Sequence, residues 1–275
     1  MKYTARQPQS NVNVTPSSPL REFFVLAGGL FIIVVGIYFL LGLAVDLMVP
    51  YLPVTFEKKL AVVFVKSLKA KPADSSRQQY VQSLMDQLQT RCAQLPYKFQ
   101  VHVLQSPTIN ALALPGGNVI IFTGLLEKVT SENELSFVLA HEMGHYAHQD
   151  HLRGVGRSMV FMTLSAVIFG ADSGISKLIG TGLNVTELSF SRKQETRADE
   201  FALEAVNCAY GHVEGAVDFF SRIPKEQDPG IFGHYFSSHP ENTRRIAHLK
   251  DLTASRGYKL LKKLSLPASL RPLKK

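Results

Sequence analysis

The feature that most constrains this chain is its charge-free run at residues 23–45, FFVLAGGLFIIVVGIYFLLGLAV. The run exceeds the roughly 20 apolar residues with which an α-helix crosses a bilayer. It is also longer than the ~7–15-residue apolar region of a cleaved signal peptide. The sequence therefore predicts a retained transmembrane anchor at 23–49. The preceding residues, 1–22, are rich in Pro, Ser and Asn and are predicted to be disordered.

An α+β domain is predicted after a linker at 50–74. The segment SSRQQYVQSLMDQLQTRCAQL carries apolar residues at spacings of three and four, which indicates an amphipathic helix. Alternating apolar residues in YKFQVHVLQS indicate a strand, and NVIIFTG after a Pro-Gly-Gly turn indicates another. A capping box, Ser131 with Glu134, marks the start of the next helix. We therefore expect a mostly helical domain over 75–255, with a small sheet beside that helix.

Two other regions are open to more than one interpretation. The apolar segment Met159–Gly170 is too short to span a bilayer comfortably, so we expect a buried helix or one on the membrane surface, with a membrane segment as the alternative. The net charge is +8, and cations are concentrated in a predicted basic tail at 256–275. No nucleic-acid recognition motif accompanies them, so no nucleic-acid partner is expected. The tail is expected to be solvated, with attraction to anionic lipid headgroups as the alternative.

The chain has two cysteines, Cys92 and Cys208, and the sequence allows them to pair or to stay free. The C-x-x-C ligand pairs of structural zinc modules are absent from the sequence. A structural zinc module is therefore not expected.

Histidines are crowded in the segment ELSFVLAHEMGHYAHQDH. In a helix, residues four apart lie about 40° apart on one face, so His141 and His145 can bind one zinc ion. Glu142 lies about 100° from His141, beside the metal, where it can take a proton from a bound water. This is the H-E-x-x-H arrangement of zinc peptidases. Gly144 costs a helix interior about 1 kcal/mol, which suggests that another element packs closely there.

One candidate for a third ligand is His151, as in the longer H-E-x-x-H-x-x-G-x-x-H pattern. The glycine that lets the chain turn in that pattern is His148 here. If the helix continues, His151 points roughly 80° away from His141 and lies about 15 Å along the axis, out of reach. His148 is interpreted as a residue of the helix surface, with a place behind the metal ligands or in the substrate groove as the alternative.

The other candidate is Glu195, on a helix predicted over 186–206. It can complete a site of two histidines and one glutamate and leave the fourth position to water. Asp199 lies on the same face one turn later, where it can accept the free N–H of a ligating histidine.

Four separated motifs, HEMGH, SFSRKQETRADEFAL, NALALPGGNVIIFTGLLE and SSHPENTRRI, resemble the HtpX-like and CAAX prenyl protease family of membrane-associated zinc metallopeptidases, peptidase family M48. The resemblance implies a zincin-type metallopeptidase fold with one Zn²⁺ per chain. It implies that the zinc ligands are His141, His145 and Glu195, that Glu142 is the catalytic glutamate, and that Asp199 supports a ligand.

The same resemblance places a second catalytic histidine at His239. It also places Arg244 and Arg245 in a segment that can contact the oxyanion or the substrate, and the sequence does not decide which of them faces the site. We expect an extended polypeptide to add to a sheet edge. The strand residues predicted to receive it are Asn118, Val119, Ile120 and Ile121.

These features predict a membrane-anchored zinc endopeptidase that cleaves misfolded or membrane and envelope proteins. The alternative is a non-catalytic, chaperone-like zinc-binding module for unfolded chains. Lysines and arginines flank both ends of the anchor, so charge does not orient it. Resemblance to periplasmic quality-control members implies a single-pass protein of a bacterial inner membrane, with an extracytoplasmic catalytic domain. The bilayer is an expected partner, and no oligomeric state is predicted.

Overall fold

The computed structural model describes residues 18–67, 71–174, 190–222, 238–239 and 242–270. The predicted fold class, α+β with mostly helices and a small sheet, is confirmed. The strands are β1 (Gln100–Leu104), β2 (Ala111–Leu114) and β3 (Asn118–Phe122). The helices are α1 (Pro19–Met48), α2 (Val54–Ser67), α3 (Ser75–Cys92), α4 (Thr123–Leu126), α5 (Glu132–Ala147), α6 (Asp150–Phe169), α7 (Arg192–Tyr210), α8 (Asp218–Arg222) and α9 (Asn242–Ser255).

The sheet has the strand order β1-β3-β2. β3 is parallel to β1, with Val119 opposite Val101, and antiparallel to β2, with Val119 opposite Ala113. β3 is therefore the central strand, and all its residues are buried. The prediction that Asn118–Ile121 receive a substrate at a sheet edge is wrong, because both sides of this strand are already paired.

The two outer strands differ in how their edges are used. The outer edge of β1 is occupied: Ala73 donates to the carbonyl of Val103, and the Gln78 side chain accepts from the amide of Val103. Gln82 accepts from the amide of Val101 in the same way. Among the described residues, no strand pairs with the outer side of β2. Within the part of the chain that the structure describes, the unpaired edge of this sheet is therefore the outer edge of β2.

Helix α3 forms where its apolar spacing predicts, and Asp74 caps it by accepting from the amide of Arg77 at 2.9 Å. Its inner face packs against the sheet and α7. The residues buried there are Val81, Leu84, Met85 and Leu88. At the end of α3, Cys92 forms a disulfide with Cys208 of α7, which decides the question that the sequence left open.

Helix α5 is the most enclosed of the described helices, with every residue from Asn133 to Tyr146 buried. Ser131 caps it as predicted and accepts from the amide of Glu134 at 3.2 Å. The Glu134 carboxylate binds the amide of Thr130 at 2.8 Å, so the capping box is shifted by one residue from the expected partner. The enclosure of α5 fixes its side chains on all faces.

Helices α1 and α6 form a separate antiparallel pair. Val45 lies against Gly156, and the rings of Tyr38 and Phe161 lie 6.1 Å apart. No residue of α1 is buried, and Val167 on α6 is 77% exposed. Both helices are long and apolar enough to cross a membrane. Of the two forms expected for 159–170, the buried helix is wrong, because the segment belongs to a 20-residue helix with an exposed apolar surface. A helix on the membrane surface and a membrane segment both stay predictions.

The segments that flank the predicted domain contain more structure than the sequence indicated. The predicted linker at 50–74 contains α2. Part of the predicted basic tail returns to the start of α5, where Leu264 accepts from the amide of Glu132 at 3.0 Å. Leu266 and Leu270 are buried there. Residues 1–17, for which disorder is predicted, lie outside the described residues.

Candidate metal centre

Helices α5 and α7 bring together the three residues predicted to bind a metal. The Nε2 atoms of His141 and His145 lie 3.1 Å apart. Glu195 Oε2 lies 3.6 Å from His141 Nε2, and Glu195 Oε1 lies 3.4 Å from His145 Nε2. All three side chains are buried. Two imidazoles and one carboxylate converging in this way are the donor set of a zinc site, so these residues fit a bound cation.

The close approach of the two helices depends on Gly144. A Cβ atom there would lie 2.7 Å from Ala198 Cα and 2.9 Å from its carbonyl oxygen. The close packing that the sequence suggested at this glycine is therefore with the backbone of α7. Because α7 approaches here, Glu195 in its first turn lies within reach of His141 and His145 on α5.

The start of α7 differs from the expectation. The sequence predicted a helix from residue 186, but α7 begins at Arg192 because Ser191 and Gln194 form a capping box. The Gln194 side chain accepts from the amide of Ser191 at 2.9 Å. Residues 186–189 lie outside the described residues.

His141 and His145 each have their own carboxylate on the nitrogen that points away from the cluster. Asp199 Oδ1 lies 2.9 Å from His141 Nδ1, as the sequence predicted. Asp150 Oδ2 lies 3.3 Å from His145 Nδ1, a contact that sequence reasoning missed. Carboxylates in these positions fix the tautomer and the ring orientation of metal-binding histidines.

The environments of the two histidines shift their pKa values in opposite directions. Burial alone would lower the pKa of His145, but the hydrogen bonds of Asp150 and Glu195 raise it to about 9. For His141, burial prevails over its acidic neighbours and lowers the pKa. The carboxylates of Glu195, Asp150 and Asp199 lie beside the two rings, and this negative charge suits a divalent cation.

The structure separates the two candidate arginines. Arg244 is exposed, whereas Arg245 is buried. Arg245 binds Asp199 through Nε and Nη2, both at 2.7 Å, and its Nη1 lies 2.5 Å from Glu195 Oε2. Burial raises the pKa of Asp199, but the charge and hydrogen bonds of Arg245 outweigh burial and lower it. Arg245 therefore keeps the carboxylates that support the cluster ionised.

His239 lies inside the donor cluster. Its Nδ1 lies 3.0 Å from Glu195 Oε1 and 3.3 Å from His141 Nε2. One donor atom from each of His141, His145, Glu195 and His239 lies within 4.8 Å of the others. The Phe190 ring stacks on His145 at 3.8 Å and closes one side of the site. No local sequence pattern indicated a role for Phe190.

Glu142 lies beside this cluster and is fully buried. Neither of its carboxylate oxygens has a hydrogen-bond partner among the described residues. The imidazole of His239 lies close to it, with Nε2 3.8 Å from Glu142 Oε1. Buried carboxylates are nearly always hydrogen-bonded, so this one fits a group that contacts a molecule bound in the site.

His151 belongs to a different cluster. Its Nε2 lies 3.1 Å from Glu57 Oε2, and Tyr97 donates to the same carboxylate at 2.8 Å. The assumption that α5 continues to His151 is wrong, because Gln149 takes a left-handed conformation with φ 55° and a new helix begins. His148 is half-buried and binds the carbonyl of Gly144 at 2.8 Å.

The model of peptidase family M48 matches residues 75–253, which is more than half of the chain. Mitochondrial metalloendopeptidase OMA1 of Schizosaccharomyces pombe is 28% identical over 71% of this chain and 60% of its own length. Metalloprotease YcaL of Escherichia coli is 28% identical over 58% of the chain and 63% of its own length. Metalloprotease LoiP of the same species is 26% identical over 68% of the chain and 75% of its length.

The matched part of the chain covers 30% of the length of the OMA1 of Arabidopsis thaliana and 63% of the length of YcaL. The match covers all the residues of the cluster, from His141 to His239. The apolar α1, which is long enough to cross a membrane, indicates membrane association. With the residue set of a metalloendopeptidase assembled between α5 and α7, the chain belongs to peptidase family M48.

Proposed function

We propose that this chain is a membrane-anchored zinc endopeptidase. The observation that carries the proposal is the buried Glu142 carboxylate, which has no hydrogen-bond partner among the described residues and lies beside the cluster of His141, His145, Glu195 and His239. A purely structural metal site has no use for such a group. Zinc is the proposed ion because the donor set, two imidazoles and one carboxylate, is that of catalytic zinc sites.

When bound, a zinc ion would lower the pKa of an attacking water and polarise the scissile carbonyl. Glu142 is placed to take the proton from that water and to return it to the leaving amide nitrogen. Asp199 and Arg245 hold His141 and Glu195 in position while this occurs. The chemistry that we assign to the protein is thus one proton carrier beside a fixed set of ligands.

His239 is proposed to stabilise the oxygen that gains negative charge during the reaction. Its ring lies between two carboxylates, with Nε2 3.8 Å from Glu142 Oε1 and Nδ1 3.0 Å from Glu195 Oε1. A His239→Ala variant tests this role. Loss of activity with unchanged zinc affinity is expected. A weaker zinc affinity would instead make His239 a ligand. Arg244 is exposed and Arg245 is bound to Asp199 and Glu195, so neither is assigned to the oxyanion.

Polypeptide substrates are expected to bind as an extended strand along β2. This strand has the available edge of the sheet, and it packs beside α5. Asn110, which precedes it, accepts from the hydroxyl of Ser238, the neighbour of His239, at 3.3 Å. Pairing with a sheet edge reads backbone groups more than side chains. We therefore propose loose sequence preference, which suits misfolded or membrane and envelope proteins.

The membrane proposal is one net crossing, through α1. Helix α6 lies against α1, and its outward side chains are apolar, so we place it in lipid as well. Asp150, the first residue of α6, and Phe190, which follows α6 in the chain, both contact His145. The start of α6 and residue 190 therefore lie on the same side of the membrane, which supports one net crossing, through α1.

Single cysteines test this topology. Glu127→Cys and Lys250→Cys, before and after α6, are both exposed and should react with a membrane-impermeant maleimide from the same side. Val167→Cys should react only after detergent is added. Labelling of the first two from opposite faces would contradict the proposal. The Cys92–Cys208 disulfide supports an extracytoplasmic side, since disulfides persist in oxidising compartments.

Substitution of the proposed base tests the catalytic assignment. Glu142→Gln should retain zinc and lose about 10²- to 10⁴-fold of its activity on an unfolded reporter, the usual contribution of a general base. Glu127→Gln makes the same change at an exposed position and should be neutral. An active Glu142→Gln variant, or one without metal, would refute the assigned role.

A further inference from the structure

The contact between His145 and Asp150 lies at the junction of α5 and α6. Asp150 Oδ2 lies 3.3 Å from His145 Nδ1, and both side chains are fully buried. The other ring nitrogen, His145 Nε2, faces the cluster and lies 3.1 Å from His141 Nε2. A carboxylate at Nδ1 keeps the proton on that nitrogen and leaves Nε2 as the metal-binding atom.

This contact exists only because α5 ends. In a continuous helix, a residue five positions after His145 would lie about 140° around the axis, on another face. Instead, α5 ends at Ala147 and Gln149 has a left-handed backbone, so Asp150 begins a new helix. The change of direction returns the Asp150 carboxylate to the histidine. The break in the chain thus has a consequence at the metal centre.

Helix α7 holds Asp150 in place. Gln194 Nε2 donates to Asp150 Oδ1 at 2.9 Å, and Arg197 Nη2 donates to the same oxygen at 3.2 Å. These two residues flank Glu195 in sequence. One turn of α7 therefore supplies a proposed ligand and also fixes the carboxylate behind another ligand, His145.

Gln194 performs two tasks that require an amide. Its Oε1 accepts from the amide of Ser191 in the capping box, and its Nε2 donates to Asp150. Glutamate also serves at this position of a capping box. A glutamate here would have no donor for Asp150 and would place a second negative charge beside it. The choice of glutamine is explained by the contact with Asp150.

We propose that Asp150 is a positioning residue of the metal centre, which orients His145 for metal binding and is itself held by Gln194 and Arg197. His141 and His145 then each have a dedicated carboxylate, Asp199 and Asp150. The inference rests on the proposed zinc endopeptidase function. It extends the metal centre to the turn from which α6 enters the membrane.

The test uses the full-length protein in detergent and measures its affinity for Zn²⁺ by competition with a chelator. Loss of such supporting carboxylates typically weakens metal affinity about 10- to 100-fold, and we expect this for Asp150→Ala. The Zn²⁺ affinity of Asp150→Asn should lie between that of Asp150→Ala and that of the unaltered protein, because the amide oxygen of asparagine can still accept from His145 but carries no charge. The visible spectrum of the Co²⁺ form should change in both variants. Asp86→Asn, at an exposed aspartate, is the matched control.

A Zn²⁺ affinity of Asp150→Ala within about twofold of the unaltered protein, with an unchanged Co²⁺ spectrum, would overturn the inference. If Asp150→Ala does not fold, Asp150→Asn and Gln194→Ala decide, and unchanged affinity and spectra in both would overturn it. If the unaltered protein binds zinc and the Asp150 variants bind it with the same affinity, only this inference is overturned. An unaltered protein that binds no zinc overturns the proposed function as well.

Discussion

Two helix pairs of this molecule have a glycine at their point of contact, and the glycine meets different atoms in each. In the α5–α7 pair, a Cβ on Gly144 would lie 2.7 Å from the backbone Cα of Ala198. In the α1–α6 pair, a Cβ on Gly156 would lie 2.6 Å from a methyl group of Val45. One contact is with backbone, which cannot move aside, and the other is with a side chain.

The difference follows from what each pair encloses. The α5–α7 pair encloses the buried ligands and their carboxylates, so a small displacement would leave buried charges without partners. The α1–α6 pair is apolar on its outside, and Arg157 and Asp46 form its ion pair at 2.6 Å near one end. Precise packing is therefore needed where charges are buried, whereas the α1–α6 pair can adjust its side chains.

Loss of the Cys92–Cys208 disulfide is expected to have the largest effect, and this effect falls on the domain that contains the α5–α7 pair. Replacing Cys92 and Cys208 by Ser removes the link between α3 and α7, and the loss of such a link typically costs about 2–4 kcal/mol. The thermal midpoint Tm of the catalytic domain should fall, while protease protection of α1 and α6 in vesicles should remain. Equal loss of both would contradict the view that the pairs are independent.

Gly144→Ala is expected to have the next largest effect. The added methyl group meets the backbone of α7, and overpacking of this kind costs about 1–3 kcal/mol. Zinc affinity should fall with Tm, because Glu195 moves away from the two histidines. Wild-type Tm and zinc affinity in this variant would show that the helices do not approach as described.

Gly156→Ala should have the smallest effect. Val45 can shift to admit the methyl group, and alanine improves helix propensity by about 1 kcal/mol relative to glycine. The two terms nearly cancel, so Tm and zinc affinity should both stay near those of the unaltered protein. A loss as large as that of Gly144→Ala would remove the distinction between the two pairs.

The sequence was most informative where one element carries the signal. The spacing of His141 and His145, the cap at Ser131 and the buried face of α3 all follow from local pattern, and the structure has them as expected. Glu195 and Asp199 share one helix face, so their pairing with α5 needed only one assumption about helix contact.

Contacts between distant elements were not predictable in this way. The sequence does not state that β3 lies between β1 and β2, because strand order depends on packing. Asp150 was missed because it reaches His145 only after the break at Gln149. Arg245 and the Glu57–His151 pair depend on elements far apart in the chain. The length of the helix that contains Met159–Phe169 was underestimated, because its first turns are polar and carry no apolar signal.

The most direct test of the account compares metal content in two glutamine variants. Glu195→Gln should lose most of its zinc, because a neutral amide replaces the carboxylate between His141 and His145. His151→Gln should retain one zinc per chain, since His151 binds Glu57 and glutamine can still donate to that carboxylate. Metal analysis of the purified full-length proteins measures both. Zinc retained by Glu195→Gln and lost from His151→Gln would contradict the assignment of the metal centre.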